Sequence, residues 1–501
     1  MNLFVQAVAR ILASRRFLYV VLAFFVFESV WVALSARYPM AFDEDFHFGI
    51  IKIYSHHWLP FLSGQPANSS SFGAVARDPS YLYHYLMSFP YRLLTLGTHS
   101  QTLQIVVLRL INVLLFGSGQ VLFYRLLRRT KISPALANLM LALFVLLPIV
   151  PLVAGQINYD NLLFPLVAWT CLLVWEVREQ LRQKRIPLAT LAVLLIVCLL
   201  TSLVKYAFLP LFAASWLFVA WECAWAFKTQ GRTLARALLQ SWRGLPVKVL
   251  AGLAAGIVLA AGLFAQRYAT NIKSYHQVIP DCAAVLSQDE CFSYGPWARD
   301  FAYKAYRAAT PQPLPLNAVT YTGEWLEGLH YRLFFMISGP ANDYENYPPL
   351  PLPAAAFVFI VIAGVVALLL AGYRLVRENS FLVFLALATV LYTGALWADN
   401  FKEYHTAGAV LAVNGRYLLP LLLPAGILIG RALGIVLRPL PRLKAALAIA
   451  ACLLFLQGGG IISFWVRSDP SWYWPNKVLL QANRVAHDIT SPIVFQGGTY
   501  F

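Results

Sequence analysis

The chain has 501 residues, of which 59% are hydrophobic and only 12% charged, and its net charge is +17. So few charges on so apolar a chain exclude an ordinary soluble protein. The basic excess falls in alternate loops between apolar runs, so it reads as a topology signal and gives no sign of a nucleic-acid partner.

Apolar runs of the length that crosses about 30 Å of hydrocarbon as helix lie at 17–36, 102–123, 134–153, 161–177, 187–204, 207–226, 247–266, 353–372, 380–397, 417–436 and 445–465. They predict an all-α polytopic membrane protein of about 11 transmembrane helices. The first run is longer than the apolar core of a signal peptide and is read as a retained anchor. Lys205-Tyr206 splits the apolar stretch 187–226 into a hairpin. Glu28, Arg109, Glu222 and Arg431 are the main charges inside apolar sequence. The basic clusters put the N-terminus in the cytoplasm, and an odd number of spans leaves the C-terminus outside. Residues 1–466 then form one transmembrane domain with a first external loop at 37–101 and a long external loop at 267–352, and residues 467–501 form an external tail.

The first external loop opens with Phe42-Asp43-Glu44-Asp45-Phe46-His47-Phe48-Gly49. Three carboxylates beside hydrocarbon are costly to ionise, which marks a candidate active site, the plainer alternative being a solvated loop. Two amphipathic stretches, 50–62 and 81–96, are rich in aromatic residues and are expected to lie flat on the outer surface as interfacial helices. His47 lies four residues after Asp43 and would share its helix face; interfacial histidines with polar edges facing water are the plainer reading. No zinc-type spacing is present. Glu44 or Asp45 holding a divalent metal is one alternative, and no cofactor at all is the other. Asp78-Pro79, with Tyr83 and His84 soon after, leads into the second amphipathic stretch, whose aromatic residues suit an interfacial anchor. Asn158 and Asp160 either cap the span that follows or reach into the groove. Cys282 and Cys291 lie in the long external loop, where an oxidising compartment would bridge them, the alternative being two free thiols.

A carboxylate pair just after the first span, followed by two interfacial helices, resembles the GT-C superfamily of integral-membrane glycosyltransferases. Phe42-Asp43-Glu44 with His47-Phe48-Gly49 is similar to the Phe-Asp-Glu-x-His-Phe-Gly string of the protein O-mannosyltransferases, with one additional residue here. Asn158-Tyr159-Asp160, Lys205-Tyr206 and Asn414-Gly415-Arg416-Tyr417-Leu418-Leu419-Pro420 resemble a group of predicted bacterial membrane proteins placed in the same superfamily. The resemblance implies a GT-C-like bundle in a bacterial inner membrane. The implied reaction transfers a sugar from a polyprenyl-phosphate donor to an extracytoplasmic glycan, lipid or protein, usually with inversion.

That reaction needs a carboxylate within reach of the acceptor hydroxyl, and Asp43 is the candidate base, with Glu44 beside it. The leaving phosphate needs fixed cations at headgroup depth, and Lys205 and Arg416 stand at the external ends of spans. Snorkelling anchors are the alternative reading of both. Asp45, His47, Asp78, Tyr83, His84, Asn158, Asp160 and Tyr417 complete the candidate groove. A transporter or flippase of lipid-linked glycans predicts mid-span charges and broken helices. A glycan polymerase or ligase is the third reading.

Overall fold

The computed structural model describes residues 3–41, 43–62, 64–310, 313–334, 336–338, 345–347 and 349–495. Phe42 of the acidic motif, parts of the long external loop and residues 496–501 of the tail lie outside the described residues. Helix accounts for 78% of the described residues. A segment surrounded by lipid must satisfy its backbone N–H and C=O groups internally, and helix does so. Two short strands, Met336–Ser338 and Glu345–Tyr347, pair antiparallel within the long loop.

Among the described residues, eight helices are long and apolar enough to cross a membrane: Arg15–Ser35, Gln101–Arg129, Asp160–Arg182, Tyr206–Thr229, Val247–Tyr275, Pro351–Glu378, Ser380–Ala407 and Gly415–Val436. Leu114, Phe359 and Leu369 stand exposed on their outer faces, apolar surface of the kind a bilayer covers. Inside, Phe116 stacks on Phe164 at 4.2 Å between centroids, and Phe144 continues the stack.

The other three expected spans differ from a plain crossing. Leu188–Val204 is a single apolar helix of 17 residues that stops at Lys205. The run at 134–153 is broken into Pro134–Val145 and Ile149–Ala154, because Pro148 has no N–H for the ladder and disfavours helical backbone at Leu147. The run at 445–465 is broken between Pro441–Phe455 and Ile461–Arg467. There Gly458 and Gly460 take φ of +128° and +57°, which side chains oppose. The two breaks face each other: the Gly460 N–H donates to the Leu146 carbonyl at 2.8 Å, and the Ile461 N–H to Glu28 Oε2 at 3.2 Å. Backbone groups released by the breaks are thus satisfied across the seam.

A Cβ on Gly460 would lie 2.4 Å from Glu28 Oε2. Gly460→Ala therefore combines a disfavoured φ with overpacking, and is expected to cost about 2–4 kcal/mol. Thermal unfolding in detergent checks this, with Gly252→Ala, where nothing lies within 4 Å of the new methyl, expected to leave Tm unchanged.

The helix Leu3–Ala13, like Gly295–Ala309 and Ala318–Phe334 in the long loop and Lys477–Thr490 in the tail, has no counterpart among the sequence expectations. It packs against Pro134–Val145, where Asn138 Nδ2 donates to the carbonyls of Leu12 and Ser14.

Candidate active site

The first span ends at Ser35, and its exit is tied to the tail: Trp474 N–H donates to the Ser35 carbonyl and Arg37 N–H to the Trp472 carbonyl. The helix that follows, Glu44–Ser55, starts inside the acidic motif, ahead of the amphipathic stretch expected at 50–62, and ends before His56. Its partner, Leu82–Gly97, packs against it, and Phe48, Ile51 and Tyr54 are buried.

Neighbouring carboxylates of the motif have different fates. Glu44 is fully buried and accepts four hydrogen bonds: from Arg109 Nε at 2.8 Å and Ile157 N–H at 3.1 Å on Oε1, and from Arg109 Nη2 at 2.7 Å and Met40 N–H at 2.8 Å on Oε2. Arg109 also donates to the carbonyls of Ala33 and Ala36. This pair nails the exit of the first span, the motif, the helix Gln101–Arg129 and the turn before Asp160 together. Each Glu44 oxygen takes two hydrogen bonds, which fills its acceptor capacity. The catalytic and metal-ligand expectations for Glu44 therefore find no lone pair to act with. Asp45 is exposed and makes no hydrogen bond or ion pair with a described residue. No group of three His, Cys, Asp or Glu side chains among the described residues could hold a metal ion.

Asp43 occupies the N-cap position in left-handed conformation, φ +70° and ψ +29°, and its side chain makes no cap bond. Asp is one of the few non-glycine residues that visit this region, and strained backbone of this kind concentrates at functional sites. The carboxylate, 53% exposed, receives Arg416 Nη2 on Oδ2 at 2.7 Å. Arg416 comes from a 3-10 turn, Gly415–Leu418, that leads into the helix Leu419–Val436. Asn414 fixes this turn by accepting the Arg416 N–H at 3.0 Å. A Cβ on Gly415 would meet backbone of Leu329, Arg332 and Leu333 at 2.7 Å, so only glycine lets the turn sit this close to the helix Ala318–Phe334.

Lys205 adopts extended backbone between Val204 and the 3-10 turn Tyr206–Phe208, so its side chain leaves the hairpin inward. Its Nζ pairs with Asp160 Oδ1 at 2.7 Å, and both residues are buried. Burial pushes the ammonium pKa down, Asp160 pulling the other way and Arg416 adding to the fall. Asp160 Oδ2 is buried without a partner among the described residues, and Asn158 Oδ1 receives the Asp160 N–H at 2.9 Å. Tyr417 joins the two cations: Lys205 Nζ is 4.9 Å and Arg416 Cζ 5.5 Å from its ring centre, with Tyr159 4.5 Å from Lys205 on another side. Both cations are buried and ion-paired, which is not the position of a snorkelling anchor.

His47 and His84 are buried, against the expectation of edges facing water, and share one hydrogen bond, His47 Nδ1 to His84 Nε2, at 2.9 Å. Burial drives both imidazoles down, His84 to about 3, with the partner ring, Arg416 and Lys205 adding to the fall for His47. Both rings are therefore neutral at pH 7. Unfolding returns them to ordinary values near 6.5, so between those values and the folded ones the unfolded state binds more protons. Stability is full above pH 6.5 and falls as pH drops below it, by up to about 1.4 kcal/mol per pH unit for each proton. Thermal unfolding between pH 7.5 and 5 is expected to show this fall, and a His47→Gln, His84→Gln variant a flatter profile.

Tyr83 is buried and donates to Asn112 Oδ1 at 2.8 Å. Asp78 feels the charge of the buried Arg267. It accepts the Ser80 N–H at 2.8 Å, and burial raises its pKa. Tyr294, from the long loop, feels the negative charge of both Asp78 and Asp43, and its ring packs on Gly73 and beside Phe46. Cys282 and Cys291 are disulfide-bonded, and the helix Gln288–Cys291 packs on Ser70–Phe72, which sets Tyr294 over the first loop.

Tyr294 and Arg267 were not singled out from sequence. Arg267 sits in a π-helical turn, Ala265–Ala269, within the span Val247–Tyr275. It is buried and donates to the Ala76 carbonyl and to Tyr54 Oη, with Tyr81 below it at 4.4 Å. An arginine just past an apolar run was the available signal. Arg109 had been noted as a charge in apolar sequence, without its partner.

No family model, curated protein or solved structure matches the chain.

Proposed function

We propose that the protein is a GT-C-type glycosyltransferase that crosses the membrane about eleven times. Its donor is a polyprenyl-phosphate sugar and its acceptor an extracytoplasmic hydroxyl. The observation that supports this most is that Arg416 pairs with Asp43, 373 residues away, and shares the Tyr417 ring with Lys205. A half-exposed carboxylate beside two buried cations suits a hydroxyl nucleophile on one side and a phosphate leaving group on the other.

In this reading the acceptor oxygen attacks the anomeric carbon from the side of Asp43 and gives its proton to the carboxylate. The bond from that carbon to the phosphate oxygen breaks, and the electron pair leaves on the phosphate with inversion. Lys205 and Arg416 stabilise the developing charge, and Tyr159, Tyr417 and Tyr294 offer aromatic faces to the sugar. Asp43 and Asp160 already balance the two cations, so an entering phosphate displaces a carboxylate as partner. The bacterial inner membrane, a cytoplasmic N-terminus and a site on the outer face belong to the same proposal.

Donor affinity tests the phosphate assignment. Lys205→Met and Arg416→Met are each expected to weaken binding of a polyprenyl-phosphate sugar by about tenfold or more. Affinity for the phosphate-free polyprenol should not change. Equal loss for both ligands, or none for either, would remove the assignment.

The transporter reading draws support from one observation, the two broken helices that meet beside buried Glu28. Their seam is sealed by hydrogen bonds, whereas the charged groups that meet stand at helix ends, and this favours transfer.

A further inference from the structure

The opposite end of the bundle carries a second polar constellation that the transfer reading does not use. The helix Asp160–Arg182 starts at the Lys205 pair and, over its 23 residues, carries the chain about 30 Å to Arg182. There Ser380, the first residue of Ser380–Ala407, accepts hydrogen bonds from Arg178 Nε at 2.8 Å and Arg182 Nη2 at 3.0 Å and donates to Glu222 Oε1. That fills the capacity of the hydroxyl. Arg178 is buried and also paired with Glu179 and, at 3.7 Å, with Glu222 Oε1. Glu222 is 5% exposed, and its Oε2 takes no hydrogen bond from a described residue. Beside it opens a hollow of about 300 Å³ lined by Leu181, Arg182, Glu222, Trp225 and Ala226. Arg182 is exposed there, and Trp221, Trp225 and Phe227 stand exposed on the outside of the helix Leu209–Gly244.

This hollow presents one guanidinium, one carboxylate oxygen that lacks a donor, and a row of aromatic residues of the kind that settles at headgroup depth. A purely anionic ligand would meet Glu222, and a purely cationic one Arg182. A ligand carrying a phosphate and an ammonium with N–H donors, one turn of chain apart, satisfies both. The exposed tryptophans make the ligand's remaining surface hydrocarbon.

We propose that the hollow binds a zwitterionic glycerophospholipid with a primary-amine head group, its phosphate on Arg182, its ammonium on Glu222 and its acyl chains along Trp225. A choline head group has no N–H for Glu222, and a glycerol head group has no cation, so the site discriminates among lipids of one leaflet. The assignment does not depend on the transfer reading.

The test is lipid retention by the purified full-length protein from vesicles of equal parts phosphatidylethanolamine, phosphatidylcholine and phosphatidylglycerol, counted by native mass spectrometry. Wild type is expected to retain the ethanolamine lipid about tenfold over the choline lipid, the factor of one charge-assisted hydrogen bond. Glu222→Gln should bring that ratio close to one. Arg182→Ala changes an exposed side chain, leaves the Arg178–Glu222 contact in place, and should lower retention of the ethanolamine lipid. Soluble O-phosphoethanolamine should not displace the lipid. Equal retention of the three lipids by wild type, an Arg182→Ala variant that retains as much as wild type, or displacement by the soluble head group would overturn the proposal.

Discussion

Glu44→Ala and Arg109→Ala are each expected to lose about 3–5 kcal/mol of stability, enough to remove most folded protein from a membrane preparation. The reason is the environment. Both side chains are fully buried, and deleting one leaves the other as an uncompensated charge with N–H groups or lone pairs unmade. The Glu44 deletion also strands the N–H groups of Met40 and Ile157, and the Arg109 deletion strands the carbonyls of Ala33 and Ala36. Because the two residues form one unit, the double variant should lose less than the sum of the singles. The fraction of monodisperse protein after solubilisation and its Tm measure this. Single variants that keep wild-type Tm would show that the pair does not hold the motif in place.

Asp43→Asn is expected to do the reverse, sparing the fold and abolishing turnover. Asn tolerates the left-handed backbone of this position as Asp does, whereas Ala would add strain. The side chain is half exposed, and its amide oxygen still accepts from Arg416, so Tm should move little. An amide cannot take the acceptor's proton, and the expected loss of rate is about 10²- to 10⁴-fold, the contribution of a positioned general base. Donor binding should be unchanged or tighter, since a negative charge has left the neighbourhood of the cations proposed to hold the phosphate. A fall in binding equal to the fall in rate would make Asp43 a binding residue and leave the base unassigned.

Much of the arrangement is legible in the sequence because the bilayer imposes it. Apolar length reports spans, and eight of the eleven expected appear as long helices. Two of the others were misread because hydropathy counts apolar residues without noticing what breaks a helix: Pro148 and the run Gly458-Gly459-Gly460 are apolar enough to pass, whereas the third, Leu188–Val204, is an unbroken apolar helix of 17 residues. Asp43, Lys205 and Arg416 were legible as charges at helix ends, and so was the bridge between Cys282 and Cys291. Their partnerships were not, since Arg416 and Asp43 lie 373 residues apart. The sequence also could not separate Asp43 from Glu44, two carboxylates in adjacent positions. One backbone angle turns the first outward, and four hydrogen bonds hold the second inside. Tyr294 was hidden for a related reason: nothing local in the long loop says that it folds back over Gly73.

In the proposed reaction Asp43, Lys205 and Arg416 together split a sugar from a lipid phosphate. The direct measurement is release of polyprenyl phosphate by wild-type protein in proteoliposomes whose donor is confined to the leaflet facing Asp43, with and without a mixture of cell-envelope acceptors. Carrier phosphate is expected to be released together with sugar transfer, with the glycosidic configuration inverted. Intact donor appearing in the opposite leaflet, with no phosphate released, would contradict that reaction.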